Sequence, residues 1–342
     1  MQRSHKTRLY VGMPLILGYG LLTRRLFGLQ GDDGLLGLVT IGFVCIFPFI
    51  LGFLTVLVLP RKYKKSWLHA IFVPWLSGGL LIAIILALAW EAWICVLMAA
   101  PFFFSLISLG GMAMCALARR GAEADDSPRL YIALVLIAPY LIGLLESQLP
   151  TPETIRTVES QIIIDAPPEI VWSQITTVPE IQPAEHGPAF FRLAGLPKPI
   201  QAMLPTSPLA PAEEVIGMTR QSAYQGPLLF IEQITIWQPN QRYHFTIDVD
   251  PTVTPAWPWS QIGGRHFDLL DGAYIIEPLI DQPLTDQPLT GQRVILHLSS
   301  RHRLTTKFNT YGGLWTEMLL ADIQRYILRV VKERAEKKAG QM

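Results

Sequence analysis

The stretch Ile162-Ile-Ile-Asp-Ala-Pro-Pro-Glu-Ile-Val-Trp-Ser-Gln-Ile175 changes character at its centre. Its first residues continue Thr157-Val-Glu-Ser-Gln161, and the run to Asp165 is rich in the β-branched residues that fit a pleated, half-buried surface. Pro167 and Pro168 stand where a helix would begin, since proline's fixed φ suits the first turn and its missing N–H is unneeded there. Ile170, Val171 and Ile175 then give that helix an apolar side. A strand leading directly into a helix therefore opens a globular region at about residue 157.

Downstream the apolar period shortens to two. In Leu228–Trp237 one face takes Leu228, Phe230, Glu232, Ile234 and Ile236, and the other Leu229, Ile231, Gln233, Thr235 and Trp237. Arg242–Asp250 sets Tyr243, Phe245, Ile247 and Val249 against Arg242, His244, Thr246, Asp248 and Asp250. Pro239-Asn-Gln241 joins the two runs as a hairpin. Further strands are expected at 214–224, 267–279 and 292–303. The last two are linked by a loop that repeats Asp-Gln-Pro-Leu-Thr at 281–285 and 286–290. Such a duplication is tolerated most easily at a hairpin tip and is given no function. From Tyr311 to Glu336 the period is helical. Trp315, Met318, Leu319, Ile323 and Tyr326 lie in a wide apolar stripe, and the basic residues of 332–338 suit a helix C-terminus.

Upstream the composition changes. The chain of 342 residues is 50% hydrophobic and 16% charged, where a soluble domain carries roughly a quarter charged residues. Residues 1–154 hold 12 Lys/Arg and 8 Asp/Glu; residues 155–342 hold 16 and 19. Neither half has the dense basic footprint of a nucleic-acid binder, so no nucleic-acid partner is expected. Cys45, Cys95 and Cys115 all lie in apolar runs, which excludes a disulfide scaffold.

A bilayer-crossing helix needs about 20 mostly apolar residues. Residues 1–146 therefore read as an α-helical transmembrane bundle of four to five spans, at 9–22, 35–60, 67–90, 93–118 and 130–145. Glu91, between Trp90 and Trp93, suits the headgroup level. A buried proton-carrying role is disfavoured because no second charge within the spans is at hand to pair with it. Pro48, Pro74, Pro101 and Pro139 are candidate kinks, and Gly110-Gly111 permits close helix packing. Arg61-Lys-Tyr-Lys-Lys65 is the densest basic loop and is placed in the cytoplasm by the positive-inside bias. Alternation then puts Glu91 outside, Arg119-Arg120 inside, and the polar half on the external, periplasmic side of a cell (inner) membrane. Thr23-Arg-Arg25 follows the first segment in place of a small-residue cleavage site, so no cleavable signal is expected. A linker at 147–156, at most roughly 35 Å long, would keep the 157–337 domain near the bilayer. Residues 338–342 are a tail.

Ile164–Trp172, the antiparallel strands and the closing helix with Leu314-Trp315 and Ile327-Leu328 together resemble the START-like superfamily, the SRPBCC or helix-grip group. That group includes polyketide cyclase/dehydrase-like and lipid-transfer proteins. The resemblance covers about 157–336; the Pro-rich stretch Gly195–Pro211 departs from it. It implies an α+β helix-grip domain, a curved antiparallel sheet wrapped on a long C-terminal helix with an apolar cavity between them.

Such a cavity would take a hydrophobic or lipid-like small molecule. Its expected lining is Phe230, Glu232, Tyr243, Phe245, Trp257, Trp259, Trp315, Met318 and Tyr326. Glu232 interrupts an apolar face; it faces solvent, pairs with an Arg or Thr of a neighbouring strand, or serves chemistry. His266 and His297 are the other acid/base candidates, with Asp268 and Asp271 near His266. Ser299-Ser-Arg-His-Arg303 reads as a solvated strand end or an anionic headgroup site. The apolar stretches 196–211 and 251–259 either pack on the sheet or dip into lipid. No grouping has metal-ligand spacing, no phosphate loop or nucleophile elbow occurs, and no cofactor is implied. The leading expectation is a membrane-tethered binding module. A cyclase/dehydrase-type or hydrolytic enzyme and a structural or assembly protein of the envelope are the alternatives.

Overall fold

The computed structural model describes residues 2–28, 38–120, 128–253, 262–279 and 293–341. Two compact units emerge: residues 1–152 with 306–308, and residues 153–305 with 309–342.

In the first unit the apolar runs form helices, which satisfy their own backbone groups. These are α1 (Gln2–Gly28), a π-helical turn Gly42–Ile46 running into α2 (Phe47–Leu57), the short α3 (Arg61–Lys64), α4 (Trp67–Ala87), α5 (Trp93–Arg119) and α6 (Pro128–Ser147). By length and composition α4 and α5 are able to cross a membrane, and they coincide with the runs at 67–90 and 93–118. Among the described residues of the apolar run at 35–60, the apolar helix covers Gly42–Leu57, about 24 Å at 1.5 Å per residue. That is shorter than a hydrocarbon core of about 30 Å. Residues 9–22 are the middle of α1, and 130–145 lie within α6.

Small residues set the helix spacing as expected. A Cβ on Gly52 would lie 1.8 Å from the Ile107 carbonyl oxygen, and one on Gly110 would lie 1.8 Å from that of Phe49. Only glycine at these two positions lets α2 and α5 approach so closely. The expectation that Glu91 has no partner is corrected. Arg24, near the end of α1, contacts its carboxylate at 2.6 Å and donates to the Trp90 carbonyl at 2.6 Å. Sequence separation hid this pair, since α1 returns to the α4–α5 turn only in three dimensions. Glu146, read as the boundary of the last span, accepts the N–H groups of Ile41 and Gly42 at 2.6 and 3.4 Å. It thereby occupies donors left over at a helix start.

The second unit is an antiparallel seven-stranded sheet curled into a half-barrel, in the order β1-β7-β6-β5-β4-β3-β2. Its elements are β1 (Glu153–Ile164), α7 (Pro168–Thr176), a 3-10 turn Pro183–Glu185, α8 (Phe190–Leu193), β2 (Pro199–Met203), α9 (Ala212–Val215), β3 (Thr219–Tyr224), β4 (Leu228–Gln238), β5 (Arg242–Val249), β6 (Phe267–Leu279), β7 (Arg293–Thr305) and α10 (Asn309–Ala339). Together the curled sheet and the long terminal helix make a helix-grip domain. β1 begins at Glu153 and absorbs the end of the expected linker.

The Pro-rich stretch 195–211 contains β2, an edge strand, which is where a sheet accommodates proline. Two readings need correction. Residues 214–218 are not strand: Gly217 adopts φ +91°, which turns the chain before β3. In β4 the alternation reverses after Ile234. Thr235 is an extra residue between the pairs Ile234–Phe245 and Ile236–His244. This β-bulge sends Ile236 outward (38% exposed) and Trp237 inward (3%). The tandem repeat at 281–290 lies outside the described residues.

Candidate functional site: the concave face of the half-barrel

The concave face divides into two regions. At one end α7 and the last turns of α10 close it: Trp172, Ile175, Leu328, Val331 and Ala335 join Ile234, Trp237, Tyr243, Tyr274 and Leu296 in a continuous core. The Trp172 ring lies 4.7 Å from that of Trp237 and 5.7 Å from that of Tyr243. At the other end burial is uneven: Tyr224 on β3, Ile247 and Val249 on β5, and Phe267 and Leu269 on β6 face inward and are half-buried, while their cross-strand neighbours Leu228 and Phe230 on β4 and His302 and Leu304 on β7 are buried. Trp315 and Ile323 on α10 are half-buried as well. An apolar surface on the strands of the sheet thus stays partly accessible on the inside of the curl.

A polar cluster stands at the border between these regions. Glu232 (7% exposed) pairs with Arg220 (3%) on the neighbouring strand. Ser222 donates to the other carboxylate oxygen at 2.5 Å. Arg220 also donates to the carbonyls of Thr176 and Ile175 at 3.0 and 2.9 Å, and the Tyr243 hydroxyl donates to Ile175 at 2.9 Å. The cluster therefore ties the C-terminal end of α7, whose last carbonyls lack helical donors, to β3, β4 and β5. Burial alone would lower the pKa of Arg220, but the Glu232 carboxylate outweighs it and the guanidinium is held charged. Burial, with Glu232 adding to it, pushes Tyr274 up to about 12, so it stays a neutral phenol.

Both oxygens of Glu232 are thus engaged. To act as a general base it would have to leave Arg220 unpaired in the interior, which is costly. The carboxylate singled out from sequence was legible because it broke an apolar face. An Arg or Thr of a neighbouring strand was its expected partner, and Arg220 is that residue; which Arg it would be was not legible, since Arg220 sits in a run with no such contrast.

The remaining candidates fall elsewhere. Tyr243 and Phe245 belong to the packed core, and Phe230 is buried beside Tyr224, ring centroids 5.2 Å apart. Tyr326 is buried, hydrogen-bonded to His186 and edge-on to Phe191. Met318 is 41% exposed. Trp257 and Trp259 lie outside the described residues. His297 is on the convex face, opposite Glu232, with Glu277 at 3.4 Å. His266 precedes β6 and its Nδ1 is 3.1 Å from the Thr305 carbonyl oxygen. The three are not brought together.

The run 299–303 is neither a uniformly solvated end nor an open anion site. Arg301 pairs with Asp271 and Arg303 with Asp268 on the convex side. His302 points inward, fully buried, with Nε2 3.0 Å from the Thr316 hydroxyl. Burial holds its pKa below the usual histidine value. Among the described residues no group of three His, Cys, Asp or Glu side chains is disposed to hold a metal ion.

No family model matches the chain, and no curated protein matches it. Among solved structures, TTHA0849 from Thermus thermophilus is 17% identical over 54% of this chain and 99% of its own, with a TM-score of 0.30. A truncated norcoclaurine synthase from Thalictrum flavum is 10% identical over 54% and 98%, with a TM-score of 0.29. DynU16, from the dynemicin biosynthetic locus, is 10% identical over 51% and 46%, with a TM-score of 0.26. All three TM-scores are low, so the helix-grip description stands on the sheet order and the terminal helix themselves.

Proposed function

We propose that the chain is a membrane-tethered binding module that holds a hydrophobic or lipid-like small molecule on the open end of its concave face. The observation that carries this reading is the divided interior. One end of the half-barrel is packed solid, while Tyr224, Ile247, Val249, Phe267 and Leu269 face inward without being fully covered. Accessible apolar surface inside a curved sheet, with few polar groups beside it, is the usual character of a small-molecule site. The Arg220–Glu232 cluster is charge-balanced and already saturated, which favours binding over acid/base chemistry.

The bilayer is the second partner in this reading. α4 and α5 anchor the chain, and the globular unit lies on the external side, as the basic loop at 61–65 implies. Only residues 148–152 separate α6 from β1. Exposed apolar side chains on the second unit, among them Leu193, Met203, Leu209 and Leu314, suit proximity to lipid.

Extraction of the full chain from membranes, followed by solvent release and mass spectrometry of small molecules, tests the reading. An apolar molecule that accompanies the wild type and is depleted in Val249→Trp supports it. An identical small-molecule profile in both proteins contradicts it.

A further inference from the structure

A second site for an apolar molecule lies in the helical unit. A groove of about 530 Å³ runs between α4 and α5, lined by Trp75, Leu97, Ala100, Pro101, Phe104, Ser105 and Ser108. From Leu97 to Ser108 it follows α5 for about 16 Å at 1.5 Å per residue. Its polar groups are mostly spent. Trp75 donates its indole N–H to Ser108 at 2.7 Å, Ser108 donates to the Phe104 carbonyl at 2.8 Å, and Ser105 donates to the Pro101 carbonyl at 2.7 Å.

One group differs. Pro101 lies inside α5 and has no N–H, so the Leu97 carbonyl oxygen, four residues earlier, loses the donor that helical bonding would give it. Leu97 and Pro101 share a helix face, and both line the groove. Pro101 thus leaves the Leu97 carbonyl without its usual i+4 donor at one end of a long apolar trough. In hydrocarbon such an acceptor gains from any donor that reaches it.

We infer that this groove binds one long-chain amphiphile from the membrane, its tail along Ala100, Phe104 and Trp75 and its hydroxyl or amide N–H donated to the Leu97 carbonyl. The inference rests on the membrane part of the proposed function and is independent of the concave-face site.

The test uses the full chain in nanodiscs of dioleoylphosphatidylcholine, photolabelled with a diazirine derivative of hexadecanol or with its methyl ether, which has no donor. Label is expected on the peptides carrying residues 97–108 and Trp75. The alcohol should exceed the ether there by about 2- to 10-fold, the worth of one net hydrogen bond. Ala100→Trp should remove labelling by both probes. Pro101→Ala, which returns an N–H to Leu97, should abolish the preference for the alcohol while the ether still labels. Equal labelling by the two probes, or label spread evenly over the exposed faces of α4 and α5, overturns the groove alone. A chain that does not enter nanodiscs overturns the membrane reading as well.

Discussion

At the scale of single residues, the interior is organised by one ion pair. Glu232→Ala would leave the Arg220 guanidinium buried without its counter-charge, and the expected loss is about 3–5 kcal/mol in denaturant unfolding. Replacing both by Met and Leu should restore much of that loss, because a buried pair repays little beyond its own desolvation. A double variant as unstable as the single one would show that the hydrogen bonds to Thr176 and Ile175, and not charge balance, are what matters. His302 gives a pH dependence. Its pKa is lowered in the fold by burial, so the unfolded chain binds its proton more readily. The stability it contributes is fully present above about pH 6.5 and is lost as pH falls from there toward the folded value. Unfolding titrations of His302→Asn should show a flatter profile over that window; an unchanged profile would assign the dependence to other groups, such as His186, whose pKa burial also lowers.

At the scale of elements, the bulge in β4 decides which side chains enter the core. Trp237→Ala is expected to cost about 3–5 kcal/mol, as large-to-small changes of buried aromatics do, and Ile236→Ser to stay within about 0.5 kcal/mol. Reversed costs, read from melting curves, would mean that the strand alternates without the bulge. This is also where sequence reading fell short. The faces of β5 were legible because nothing interrupts its period, and the span of β6 was legible although its register shifts between Leu269 and Asp271. Thr235 carries no mark that distinguishes an inserted residue from a strand residue, so the second half of β4 was assigned to the wrong side. β2 was hidden by the prolines around it, though an edge position tolerates them. Glu232 stood out as a carboxylate on an apolar face with an Arg or Thr of a neighbouring strand as its expected partner, whereas the identity of that partner as Arg220 and the Arg24–Glu91 contact depend on chain reversals that no local pattern encodes.

At the scale of the whole chain, an apolar helical unit and a helix-grip unit are joined in one polypeptide. The proposed arrangement has a direct consequence. The chain should remain in the membrane pellet after an alkaline carbonate wash, and protease added to intact spheroplasts should remove the globular unit while sparing α4 and α5. Release by carbonate would contradict the anchor, and protection of the globular unit would contradict its side. The central claim, that the open end of the curled sheet holds an apolar molecule, is tested most directly by native mass spectrometry of the detergent-solubilised chain. Wild type and Ile236→Trp, altered on the convex face, should each carry an adduct of one mass that Ile247→Trp lacks, whatever the groove between α4 and α5 holds. The same adduct on all three proteins, or on none of them, would contradict the claim.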